Sequence, residues 1–386
     1  MSVTTAIGAV DFAPPDLGER EIDEVVAVLR SGWLSTGPRV QRFEQAFAEY
    51  VGSPHAIAVN SCTAALHLSL LVSGVGAGDE VVTTPLTFCA TANVIVHAGA
   101  TPVFADVDPV TMNLTAESAA AVTTVRTRAW LPVHFAGRPI DTAGFRAEAA
   151  RRRLALVEDA AHCVEGVSNG AKIGTTGDLT CFSFYATKNL TTGEGGMVTT
   201  ASDEWAERIR ISSLHGMTRG AWSRYSRTGP TRYDVVLPGF KYNMTDLQAA
   251  IGLHQLASLD TRHARREQIW RRYDAALAGL PIARPAPVPS GDRHARHLYT
   301  ILVDDTRSRH SRDSLQAAMR DRGVSTSVHF TALHLHRYYA ERFGYTRGMF
   351  PVAESISDRT LSLPLSSGMD DEAVDRVIDV LHELLG

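Results

Sequence analysis

Lys188 and Asp159 are the side chains whose settings in this sequence point most directly to covalent chemistry. Lys188 follows residues 179–185 (Leu-Thr-Cys-Phe-Ser-Phe-Tyr), a short run that suits a buried strand. Glycines 193, 195 and 196 follow the lysine and permit a tight return of the chain. An amine held among apolar aromatics is partly desolvated, and desolvation favours the neutral form that attacks carbonyls. A surface lysine after an edge strand would read the same from this stretch alone. Asp159 closes residues 154–159 (Leu-Ala-Leu-Val-Glu-Asp), where a strand ends in acids. A carboxylate at the C-terminal end of an α/β strand faces the ligand crevice. Together the two fit the ends of a pyridoxal phosphate site. The lysine would bond the aldehyde, and the aspartate would keep the ring nitrogen protonated so that the ring accepts electrons. Capping a following helix is the other role open to Asp159. If that segment is helical, His162 shares a face with Asp159.

The surrounding elements must position these groups. Short apolar strands at 55–59, 128–133 and 154–158 alternate with amphipathic helices at 16–29, 40–50 and 140–153. That alternation predicts an α/β fold with a mainly parallel sheet between helices. Asn60-Ser61-Cys62-Thr63-Ala64-Ala65 opens a helix after the first strand. Its hydroxyls are simple caps, or they hold a phosphate with the free N–H groups there. A long polar segment carries Arg219, Trp222, Arg224, Tyr225, Arg227, Arg232 and Tyr233. It suits a diphosphate or a solvated loop equally. The proline-rich stretch 281–289 lies within a smaller α+β domain, 261–386, behind a large domain, 1–260. A strand over 324–330 carries His329, and a closing helix spans 370–384.

Composition narrows the classes. Hydrophobic residues make up 44% and charged residues 21% of 386 residues, as in ordinary globular chains. The formal net charge is −4, and no long basic run points to nucleic acid. No secretory leader or membrane-spanning run is visible, so the expectation is a cytoplasmic protein with four free cysteines. His294, His297, His329, His334 and His336 match no strong zinc spacing, so no metal is expected.

The blocks Ser31-Gly32-Trp33-Leu34-Ser35-Thr36-Gly37-Pro38, residues 60–67, Glu158-Asp159-Ala160-Ala161-His162, residues 183–189, Glu194-Gly195-Gly196 and residues 239–246 occur in one order. In that order the chain resembles the DegT/DnrJ/EryC1/StrS sugar aminotransferases, fold-type I pyridoxal phosphate enzymes. The resemblance runs from about Gly32 to the C-terminus. It implies a seven-stranded, mainly parallel sheet in the large domain. It implies Lys188 as the Schiff-base lysine, with Asp159 at the ring nitrogen and His162 toward O3′. Thr63, Ala64 and Ser183 would hold the cofactor phosphate, and Phe88 would stack on the ring. Asn243 would reach the phosphate of a neighbouring subunit, which makes the active unit a homodimer. Trp33, Tyr185, His329 and Phe330 would border the sugar.

The resemblance also implies two half-reactions. L-glutamate donates the amine, leaving the pyridoxamine form, and a keto sugar nucleotide accepts it. Relatives acting at C-4 often carry histidine at the position of His162, and C-3 enzymes often carry glutamine. A 4-keto-6-deoxyhexose on thymidine diphosphate is therefore the expected acceptor. A uridine diphosphate 4-keto pentose and a C-3 keto sugar are the alternatives. Sugar dehydration would need histidine in place of Lys188, and a nicotinamide enzyme would need the missing glycine fingerprint. A non-catalytic binding or regulatory protein is the reading outside enzymology.

Overall fold

The computed structural model describes residues 9–218 and 233–386. Helices α1 (Glu19–Ser31) and α2 (Pro38–Val51) precede strand β1 (His55–Val59). Then follow α3 (Cys62–Val72), β2 (Glu80–Thr83), α4 (Cys89–His97), β3 (Thr101–Phe104), α5 (Ala116–Ala121), β4 (Thr127–Trp130), α6 (Thr142–Arg152) and β5 (Ala155–Asp159). A small hairpin, β6 (Val167–Ser168) and β7 (Ala171–Lys172), leads to β8 (Leu179–Ser183) and β9 (Gly196–Thr200). The remaining elements are α7 (Asp203–Ser213), α8 (Asp246–Ala257), α9 (Leu259–Ala276), β10 (Ile282–Ala283), β11 (Tyr299–Val303), α10 (Arg312–Asp321), α11 (Arg337–Phe343), α12 (Pro351–Arg359), β12 (Thr360–Leu363) and α13 (Asp371–Leu385).

The main sheet has seven strands in the order β1-β9-β8-β5-β4-β2-β3. β9 alone runs against its neighbours, and the pairs from β8 to β3 are all parallel. The predicted α/β class and strand number hold. One face buries Phe43 and Phe47 of α2 against Phe182 and Phe184, with ring centroids 5.1 to 6.2 Å apart. Each such pair contributes about 0.5–1.5 kcal/mol beyond its buried area. α6 lies on this same face, where Trp130 meets Phe145 edge-on at 5.8 Å, and the opposite face packs α3 and α4. A second sheet, β10-β11-β12, is covered by α9, α10 and α13.

Local chemistry fixes the helix starts. Ser61 accepts from Ala64 N, Thr245 forms a capping box with Gln248, and Asp370 accepts from Ala373 N. Each cap is worth about 1 kcal/mol.

Two expected elements differ. Residues 324–330 form no strand: Val324 bridges Val10 and Ser327 bridges Ser362, each as a single pair. The N-terminal arm takes the pairing that a continuous strand would need, with Val10 N bonded to Gly323 O and Ser325 N to Val10 O. Residues 160–165 form turns, with no helix after β5. Asp159 Oδ1 accepts from Ala161 N, 3.1 Å away, and this two-residue loop competes with a helical start. The helical spacing argument for His162 therefore fails, although the turn still delivers its ring to the same crevice. Among the described residues, no helix is long and apolar enough to cross a membrane.

Candidate active site

The crevice lies where the strands of the main sheet end. β8 delivers Lys188 through a turn in which Lys188 N donates to Tyr185 O. The loop is clamped on both sides: Phe184 N bonds to Gly195 O, and Thr192 N bonds to Phe184 O. Lys188 is half-buried, with its Nζ 3.5 Å from His297 Nε2. Burial lowers its pKa to about 8, against the opposing pull of Asp159. Such an amine holds a far larger neutral, carbonyl-attacking fraction near physiological pH than an ordinary lysine does.

Asp159, 5% exposed, ends β5. Its Oδ2 accepts from Thr91 of α4 at 2.8 Å, and Thr91 also meets Thr87 at 2.8 Å. Burial raises the carboxyl above its ordinary value. A protonated pyridine nitrogen would supply the counter-charge that burial withholds.

His162 is buried, and its ring lies 4.4 Å from His297 and 6.0 Å, stacked, from Phe330. Burial holds its pKa well below the ordinary value, and its Nδ1 has no hydrogen-bond partner. A neutral ring with an unpaired buried nitrogen fits a site completed by a bound polar group. His329 bonds Ser362 through Nδ1 at 2.8 Å, and burial lowers its pKa to about 3. Phe330 touches Phe88, 6.2 Å between centroids. Phe88 is 59% exposed, so its ring lies outside the core. Tyr185, 47% exposed, sits on the clamped loop two residues past Ser183.

The phosphate corner is built by backbone approach. In the sheet, Ser183 pairs with Gly196 and Gly196 with Val59, directly before α3. A Cβ on Gly196 would lie 2.5 Å from the Ser61 carbonyl carbon and 2.7 Å from Cys62 N. Only glycine lets β9 pass so close to the start of α3. Ser61 takes the Ala64 N–H as a cap, which leaves the amides of Cys62 and exposed Thr63 without intrahelical acceptors. Free N–H groups at a helix start attract phosphate. The cap reading of this turn holds for the Ala64 amide, and the amides of Cys62 and Thr63 are left open to an anion.

Trp33 and Asn243 form a neighbouring cluster. Trp33 Nε1 donates to Thr36 O, and Asn243 Nδ2 donates to Thr36 Oγ1 at 2.7 Å. Asn243 also bridges Val59 at the end of β1. Residues 219–232, and with them Arg219, Trp222, Arg224, Tyr225, Arg227 and Arg232, lie outside the described residues.

Sequence reasoning passed over four groups. His297 stands 3.5 Å from Lys188 Nζ, and its Nδ1 is 3.1 Å from Asn189 Oδ1. Asn189 in turn donates to Glu165, which is ion-paired with Arg266. With the Glu165–Arg266 ion pair counted as one group, the fourth is Thr91. His297 had been weighed only as a zinc ligand. Two of the other candidate ligands are engaged elsewhere: His294 Nδ1 accepts from Arg296 N, and His334 pairs with Glu354.

A crossover α/β sheet with a depressed-pKa lysine, a buried aspartate and a helix start for phosphate defines a fold-type I pyridoxal phosphate transferase. The DegT/DnrJ/EryC1/StrS aminotransferase family matches over residues 15–382. The chain belongs to that family and is a pyridoxal-phosphate-dependent aminotransferase. It is 50% identical over 375 residues to the spore coat polysaccharide biosynthesis protein SpsC of Bacillus subtilis, covering 97% of this chain and 96% of that one. The putative sugar aminotransferase Spr1654 from Streptococcus pneumoniae, in its PMP form, superposes with a TM-score of 0.91 at 33% identity, covering 97% and 98% of the two chains. DesV from S. venezuelae, in complex with a ketimine intermediate, superposes with a TM-score of 0.87 at 33% identity, covering 97% and 98%.

Proposed function

We propose that this chain transfers an amino group from L-glutamate to C-4 of a nucleoside-diphosphate 4-keto-6-deoxyhexose, with thymidine diphosphate as the carrier. The observation that carries the reading is His162, buried and neutral, with its unpaired Nδ1 in the Lys188 crevice. Relatives acting at C-4 often carry histidine there, as noted above. The names of SpsC and Spr1654 point to polysaccharide and sugar chemistry for those proteins and support a sugar acceptor here.

Pyridoxal phosphate, when bound, supplies an electron sink for the carbon that loses its proton. Asp159 holds the ring nitrogen charged, and Phe88 covers the ring. Thr63 and Ser183 would receive the phosphate beside the Cys62 amide, since the expected Ala64 amide is taken by the Ser61 cap, with Asn243 of a second copy in a cytoplasmic homodimer. Lys188 would hold the cofactor through its amine and would carry the proton removed from the donor Cα. In the second half-reaction Lys188 would carry the proton that lets the sugar carbonyl oxygen leave as water. Trp33, Tyr185, His329 and Phe330 border the sugar. The active crevice belongs to a large domain, residues 1–260, against which a small domain, residues 261–386, packs.

The test offers the enzyme L-glutamate with matched 3-keto and 4-keto nucleotide sugars and locates the new amine by NMR. Amination at C-4 is expected, and clear preference for the 3-keto sugar overturns the assignment. A single methyl-sized contact separates hexose from pentose by only about 1–3 kcal/mol, so a pentose preference would replace the sugar and keep the chemistry.

A further inference from the structure

Behind Lys188 runs a buried chain of polar groups that the proposed reaction does not itself require. It begins at Arg266, 3% exposed, ion-paired with fully buried Glu165. Burial raises the Glu165 carboxyl and lowers the Arg266 guanidinium, each opposed by the charge of the other. Breaking such a pair leaves an uncompensated charge. Glu165 Oε2 accepts from Asn189 Nδ2 at 2.9 Å, and the same Nδ2 donates to Ala295 O at 2.8 Å. Asn189 Oδ1 faces His297 Nδ1 at 3.1 Å, and His297 Nε2 faces Lys188 Nζ at 3.5 Å.

The donor count fixes the direction of every bond. A backbone carbonyl can only accept, so the Ala295 contact requires the Asn189 NH2 group on that side. Flipping the amide would set Oδ1 against the Ala295 carbonyl and the Glu165 carboxylate. Asn189 Oδ1 therefore points at His297, and His297 Nδ1 must carry the proton to meet it. In a neutral imidazole the other nitrogen is then a bare acceptor. That acceptor is Nε2, the atom beside Lys188.

We propose that Arg266, Glu165 and Asn189 lock His297 as its Nδ1–H tautomer, so that His297 Nε2 accepts a hydrogen bond from the Lys188 amine and aims it into the crevice. His297 is a positioning residue and takes no proton from Lys188. Burial and the nearby Lys188 charge hold its pKa well below the ordinary histidine value, whereas Lys188 stays near 8, so proton transfer to His297 is uphill. The lock matters whenever Lys188 is free of the cofactor and must stay in place to carry a proton. The inference rests on the reading of Lys188 as the cofactor lysine, and its test separates the two.

The test records imidazole nitrogen spectra of the full-length 15N-histidine-labelled chain without cofactor, with the His297 signals assigned by His297→Gln. The wild-type chain should show the Nδ1–H tautomer. Asn189→Ala should give a tautomer mixture and about a tenfold slower attachment of added pyridoxal phosphate to Lys188, trapped by borohydride and mapped by mass spectrometry. An Nε2–H tautomer in the wild type overturns the lock, and that reading is taken on the wild-type chain, with His297→Gln needed only to assign its signals. An unchanged tautomer in Asn189→Ala overturns it equally. Borohydride label on another lysine removes the reading of Lys188 and leaves the tautomer result standing.

Discussion

Two interiors of this chain are equally dry and oppositely composed. Beneath α13, Ile301, Leu361, Leu363, Val377 and Leu381 are all fully buried in one apolar cluster. Around Lys188, the buried groups are Asp159, His162, Glu165 and His297, none more than 8% exposed. In the first region burial is itself the stabilising term, at roughly 25 cal/mol per Å². In the second, burial disfavours each charge, and hydrogen bonds offset only part of that cost. What is left over appears as the depressed Lys188 pKa and the unpaired His162 nitrogen. The stable interior makes no chemistry, and the reactive one is held in place by its surroundings.

Three measurements can break or sharpen that contrast. Lys188→Ala should cut aminotransfer by roughly 10³-fold or more while leaving the thermal midpoint unchanged or higher. A large drop in the midpoint with activity retained would show that the lysine is structural. Leu381→Ala should do the reverse. It should lower unfolding free energy by about 2–5 kcal/mol in urea titrations, with turnover per folded molecule intact. A loss of turnover at constant stability would show the two interiors to be coupled.

The smallest effect concerns pH. The folded pKa of Lys188, about 8, lies below the ordinary 10.5. Between those values the unfolded chain holds a proton that the folded chain has released, so this group makes stability rise with pH. Below pH 8 both states hold the proton and the contribution is flat. The stability of the cofactor-free chain, measured against Lys188→Met, should therefore improve across that window. A flat difference would mean that the amine is not desolvated.

Much of the fold was legible in the sequence because its signals are local. The strand His55–Val59 was read at its full extent, and the closing helix expected over 370–384 is α13, Asp371–Leu385. The 324–330 segment misled because alternation in one strand does not reveal which partner takes its hydrogen bonds. Here Val10 takes them, from the far end of the chain. Lys188 and Asp159 were readable as a pair because Asp159 closes a strand and Lys188 closely follows one. The Arg266–Glu165–Asn189–His297 chain was not, since its contacts span 101, 24 and 108 positions. Its one local hint was Asn189 beside Lys188.

Gly196 carries a consequence for how this chain can change. It is hydrogen-bonded in register to both Ser183 and Val59, and its missing side chain is filled by the Ser61 backbone. A slip of β9 by one position would drive Met197 into Ser61 and turn every side chain of that strand to the opposite face. The connection from Phe184 to Gly195 is therefore measured in whole residues. Point substitutions along it can be absorbed one at a time, but a single inserted or deleted residue cannot. Variation in this lineage should enter that loop as replacement and never as a change of length.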